Sequence, residues 1–210
     1  MTDVPPPPPP PTTPSGLPGG TDYPIHLEYE RDYDVQNWRP LVNWLLAIPH
    51  WIVLYFLGIV AFVLWFISLF VVLFTQRNPF VGFQTMYLRY YWRVSSFAGF
   101  MRNEYPPFDF ATDDASAVPD PAVVTVDDPG DMNRFLGFVQ WLLAFPHLIV
   151  LWFLQIALFV VLVINLFIVL FTGRWNEPMR DFSVGVARWH TRVYGYIFLL
   201  TNKYPPFSLQ

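Results

Sequence analysis

The chain contains no cysteine. That excludes a disulfide framework, a thiol nucleophile and a cysteine-based metal site. Charge is also missing where length makes its absence informative. Leu41 to Phe74 and Phe135 to Phe171 hold no Asp, Glu, Lys or Arg. Also absent are a phosphate-binding glycine loop, a GxSxG elbow, an HExxH pair and, within the apolar runs, a GxxxG pair. The common nucleotide, serine-hydrolase and zinc-protease chemistries therefore have no foothold. No apolar segment follows Met1, so a cleavable signal peptide is not expected and the apolar runs must do the targeting.

What remains is apolar and aromatic. Of 210 residues, 54% are hydrophobic and 20% aromatic, high for a water-soluble domain. The net charge of −4 conceals a segregation of signs. Acids collect before Asn37 and between Asn103 and Asn133, whereas arginines flank the apolar runs. Basic shoulders and acidic tails suit a membrane protein; a nucleic-acid partner would need a contiguous basic face. A lipid bilayer is the expected surrounding, since charge there is costly and apolar side chains are not.

Met1 to Gly20 carries seven consecutive prolines, Pro5 to Pro11, and reads as a disordered polyproline tail. Ile25, Leu27 and Tyr29 alternate with His26, Glu28 and Glu30, the period of a strand. The first apolar run follows. Phe80 to Asn103 then has helical period, with Phe80, Phe83, Tyr87 and Tyr91 opposite Arg89 and Arg93. Such a helix is expected to lie in the membrane interface and to be stopped by Tyr105-Pro106-Pro107-Phe108.

After an acidic linker over 109–120, expected to be solvated, the programme repeats. Trp44 to His50 (WLLAIPH) returns as Trp141 to His147 (WLLAFPH), at an offset of 97. A two-residue insertion after Arg174 raises the offset to 99, and Tyr204 to Phe207 repeats YPPF. This is a tandem duplication, with units at 21–108 and 121–210.

A straight 34-residue helix would run roughly 51 Å, against a hydrocarbon core of about 30 Å. Two solutions remain: a hairpin turning near Gly58 and Gln155, or a crossing helix beginning at Pro49 after an interfacial segment. The hairpin keeps every arginine shoulder on one side and lets strand 24–30 pair with 122–127, so it is the expectation. The fold class is then a mainly α membrane protein. Each unit is a short strand, a long apolar hairpin or kinked transmembrane helix, and an amphipathic interfacial helix ending in YPPF.

Two residue sets are candidates for function. Arg89 and Arg93, with Arg188 and Arg192, are spaced to contact lipid headgroups or an anion. Asn43 and His50, with Gln140 and His147, are matched polar positions inside the runs, suited to bonding between helices. Two histidines without a third ligand make a poor metal site, and no cofactor is expected.

Together, WLLAIPH, a run ending in LFTxR, an Arg-bearing aromatic helix and closing NEYPPF or NKYPPF resemble bacterial membrane proteins of the domain-of-unknown-function 4389 family. The resemblance spans Tyr23 to Phe108 and Pro121 to Phe207. The arginine shoulders lead to the expectation of a multi-pass protein with cytoplasmic tails; the resemblance supports the bacterial plasma membrane and brings no activity, cofactor or catalytic residue. The expected function is a non-catalytic scaffold, assembly partner or membrane-organising element, with a membrane protein or a second copy as associate. Lipid or small-molecule binding or transport, through the polar pairs and an arginine clamp, is the alternative.

Overall fold

The computed structural model describes residues 23–30, 32–128 and 130–210. The proline-rich tail lies outside them. Strand β1 (Ile25–Tyr29) pairs antiparallel with β2 (Ala122–Val126), as the shared period of two suggests. Leu27 faces Val124, Ile25 faces Val126 and Tyr29 faces Ala122. Leu27 and Val124 are equivalent positions of the repeat, so a pseudo-two-fold axis passes through that pair, perpendicular to the sheet. Ile25, Leu27, Ala122 and Val124 are buried on one face, and Glu28 is exposed on the other.

The first unit continues with α1 (Arg39–Leu46), α2 (Ile48–Thr75) and α3 (Val81–Ala98). The second has α4 (Leu136–Leu143), α5 (Phe145–Thr172) and α6 (Glu177–Ile197). Pro49 and Pro146 stand in the first turns of α2 and α5, where a proline needs no N–H partner. Past those prolines neither run has a helix breaker strong enough to turn it, and each continues for 28 residues. There is thus no hairpin at Gly58 or Gln155. Gly58 serves packing instead: the Tyr87 hydroxyl lies 3.3 Å from where a Cβ would stand.

The helix after each run packs against protein on two sides. Helix α3 runs back along α2, with Tyr90 and Val94 against Leu54, and its other side lies under the sheet. The YPPF prolines do not stop it. It ends at Ala98, where the chain reverses through Phe100 at φ 47, and the Met101 N–H bonds back to the Ser96 carbonyl at 2.9 Å. Leu199, at φ 61, repeats this with Leu200 N–H on Gly195 O, the six-to-one closure of a Schellman turn.

The units interlock. Helix α3 packs on β2, the other unit's strand, and α6 on β1. The Val35 N–H bonds to Gly173 O at the end of α5, and its repeat partner, the Met132 N–H, bonds to Gln76 O at the end of α2. Each long helix therefore ends where the other unit's helical pair begins, and α2 and α5 run antiparallel. The layers are sheet, then α3 and α6, then α1, α2, α4 and α5. Both long helices lie on the same side of the sheet, because a two-fold perpendicular to it keeps that side.

Candidate functional site

Asn43 and Gln140 gather carbonyls left over at helix ends. The Asn43 amide donates to Phe97 O at 2.9 Å and Arg102 O at 3.2 Å; Gln140 donates to Thr201 O at 2.8 Å. His50 Nδ1 lies 2.6 Å from the Tyr90 hydroxyl, and Trp189 Nε1 donates to His147 Nδ1 at 3.1 Å. That second bond leaves the His147 proton on Nε2 while the ring is neutral.

Each imidazole is also clasped by its unit's YPPF segment. His50 stacks on Phe108 at 4.1 Å, with Tyr105 at 4.7 Å. His147 stacks on Phe207 at 3.8 Å, with Tyr204 at 4.8 Å. The matched histidines and the YPPF segments are thus one device: it pins the extended chain after α3 or α6 against the start of α2 or α5. All four polar residues are buried, and each stays within its own unit.

The arginines are turned into the fold. Arg89 donates to Ala111 O and Val124 O and pairs with Asp114. Arg93 donates to Asp109 at 2.6 Å and to Val118 O at 2.7 Å. The acidic linker is thus a strap bound along α3, and three of its carboxylates, on Asp109, Asp114 and Asp120, take buried guanidinium groups. In the second unit Arg188 donates to Leu27 O at 3.2 Å and Leu209 O at 3.3 Å, and Arg192 donates to the Gln210 main-chain oxygen. Arg89 on Val124 and Arg188 on Leu27 are equivalent bonds, each from one unit's helix to the centre of the other's strand. A cation on a helix reads the same in sequence whether it meets a headgroup or a strap of carboxylates, so this pairing had no local signal.

Burial pushes the Asp109 carboxyl up, but Arg93 and the N–H groups of Ala111 and Val118 outweigh it and hold it below the ordinary 3.8. A carboxylate depressed in the folded state stabilises fully above its unfolded value, and that contribution is lost as pH falls through the folded one. Protease cleavage within 109–120 should therefore rise as pH falls through and below the ordinary carboxylate range. Asp109→Asn should be cleaved more readily at pH 6 and show a weaker acid dependence; an unchanged acid profile in that variant would count against this pair.

The remaining surface is apolar. The most apolar 18-residue stretches of Ile48–Thr75 and of Leu136–Thr172 each have a mean hydropathy of 2.9, and only 22% and 11% of them are buried. Tyr55, Phe62, Phe66 and Phe74, with Trp152, Phe159 and Phe171, all stand exposed. Length and composition would let both helices cross a membrane. Among the described residues no group of three His, Asp or Glu could hold a metal.

The class so defined is a tandem-duplicated, mainly helical protein with interlocked units and an open apolar face. The model of the domain of unknown function 4389 matches residues 37–109 and 137–208, more than half of the chain. The chain belongs to that family, in two copies. The matches leave β1 and β2 outside them. No curated protein and no solved structure matches the chain.

Proposed function

We propose that this is a non-catalytic membrane scaffold whose apolar layer rests in one leaflet, with α2 and α5 parallel to the bilayer plane. The observation that carries this is the position of charge beside the long helices. At 28 residues, α2 is about 42 Å long. Helix α3 lies along it, with Tyr87 at Gly58 and Tyr90 at Leu54. Behind α3 at that level sit Arg89 and Asp114, whose side chain is 58% exposed, and the exposed Asp113. An upright α2 would carry these acids into hydrocarbon, at about 2.5–3.5 kcal/mol per charge by insertion scales. Lying flat, the same helices put their exposed apolar side chains in lipid and leave the exposed acids Glu28, Asp113 and Asp114 in water.

The pseudo-two-fold supports the same reading, since it gives both units one leaflet and one aqueous side without any crossing. The aqueous face presents Glu28, Asp113, Asp127 and Asp128, a surface suited to an assembly partner. The candidate residues support a scaffold over catalysis, because each already bonds within the fold.

A chain without cysteine makes the test direct. Single cysteines at Ile52, Ile59, Phe66 and Phe74, all exposed along α2, would carry nitroxide labels in vesicles. Their depths, read from oxygen and nickel accessibility, should agree within a few ångströms. A profile deepest at Ile59 and Phe66 and shallow at both ends would mean that α2 crosses the bilayer, and the scaffold would span it.

A further inference from the structure

The duplication is exact in plan but not in filling. In the first unit the space between α2, α3 and α6 is occupied by aromatic side chains. Tyr87 lies over Gly58 with its ring 6.1 Å from Phe198, and Tyr194 lies 6.3 Å from Phe198. The repeat maps Tyr87 onto Val186, Tyr194 onto Ser95, Phe198 onto Gly99 and Gly58 onto Gln155. At the equivalent place in the second unit three large rings are thus replaced by an isopropyl group, a hydroxymethyl group and a hydrogen. A cavity of about 120 Å³ results, bounded by α3, α5 and α6.

Its wall is specific. Leu158, Leu162 and Val186 are apolar, and polar groups from all three helices converge on the same space: Gln155, Ser95, Ser183, Thr191 and His190. Ser183 donates to Met179 O and keeps lone pairs to accept with. His190 is stacked between Tyr91 at 5.7 Å and Tyr194 at 4.3 Å. Among the described residues, neither the His190 ring nor the Gln155 amide has a hydrogen-bond partner. Burial lowers the His190 pKa to about 4, so its imidazole is neutral at physiological pH. No formal charge lines the cavity. Gln155 is exposed between Phe153 and Ile156, so the cavity communicates with the apolar face.

We infer that this cavity is a binding site for the hydroxyl end of a neutral single-chain lipid alcohol, which enters from the leaflet past Gln155. An uncharged wall has nothing with which to offset the desolvation of a phosphate or carboxylate. A hydroxyl both donates and accepts, which suits an amide, a neutral imidazole and several hydroxyls together. The volume suits a head and its first few carbons: a cavity of roughly 150 Å³ takes benzene. The rest of the chain lies along the exposed side of α5. The inference rests on the lipid-facing reading of the apolar layer, but its test does not depend on how that layer is oriented.

The protein itself supplies the decisive variant. Val186→Tyr restores the side chain that fills the first unit. Purified protein in detergent micelles would be photolabelled with a hexadecanol carrying a diazirine near the hydroxyl, and the adducts mapped by mass spectrometry. Wild-type adducts should concentrate in 155–162 and 183–191, and unlabelled hexadecanol should compete where palmitate and phosphatidylcholine do not. Val186→Tyr should lose these adducts at unchanged thermal stability. Gln155→Leu, which keeps the volume, should weaken labelling by about threefold to tenfold, the loss of one hydrogen bond. Adducts spread evenly over α2 and α5, or labelling unaffected by both substitutions, would overturn the site and leave the membrane reading standing. Competition by palmitate would overturn the choice of a neutral head.

Discussion

Replacing Asp120 with Ala should destabilise the protein by about 3–5 kcal/mol, the usual result of breaking a buried ion pair from one side. Asp120 takes two hydrogen bonds from Arg102, at 2.6 and 2.9 Å, with side chains only 2% and 1% exposed. Arg93 Nε approaches the same carboxylate at 3.9 Å. Without it, Arg102 keeps one carbonyl partner, Glu104 O at 3.1 Å, and a buried charge with no counterion. The damage should spread, because the Arg102 carbonyl is one of the two that the Asn43 amide holds. Loss of the strap's end would therefore loosen α1. Thermal unfolding in micelles should show a fall of about 10 °C or more. The double variant Asp120→Leu, Arg102→Met should recover most of it, since removing both charges removes the stranded one. A single-variant loss below about 1 kcal/mol would mean that water reaches the pair.

Trp175→Ala should be comparably severe, at about 3–5 kcal/mol for the side chain and about 1–3 more for the carbonyl it leaves unpaired. Trp175 is among the largest fully buried side chains. It packs on Phe100 with ring centroids 5.3 Å apart and donates to the Phe100 carbonyl at 2.8 Å. Its own N–H bonds to Tyr33 O at 2.8 Å. Both partners belong to the first unit, so this residue of the second locks the two together. Trp175→Phe keeps most of the buried area and should cost far less, whereas Trp44→Ala, at a side chain 58% exposed, should change stability by less than about 0.5 kcal/mol. Equal losses at Trp44 and Trp175 would contradict this division between core and lipid-facing surface.

Those two tryptophans show where reading by residue type stops. Trp44 stands in an apolar run and Trp175 between Arg174 and Asn176, yet it is Trp175 that is enclosed. The two-residue insertion after Arg174 was legible as an interruption of the repeat. Its work was not: it brings Trp175 to the junction, and Asn176 caps α6 by accepting from the Met179 N–H at 3.3 Å. The long helices are a similar case. His50, Leu54, Ala61, Ser68 and Val72 form one buried stripe. In an almost uniformly apolar run such a stripe hardly alters the pattern, and only its small and polar members mark it. Length left a hairpin open, and the arginine shoulders and the prospect of pairing the strands favoured it; the strands pair without it.

By itself the sequence determined the duplication, the apolar character of the two runs and the period of the two strands. Each of these rests on spacing along a few residues or on an offset between copies, and both survive without knowledge of what lies across the fold. Only the tertiary structure decided that Arg89 and Arg93 meet carboxylates, that each strand lies on the other unit's helix, and that Val186 leaves open the space Tyr87 fills. Those outcomes depend on contacts between segments far apart in the chain. A side chain has the same helical position whichever surface the fold brings against it, so charge, size and exposure become function only once that surface is in place.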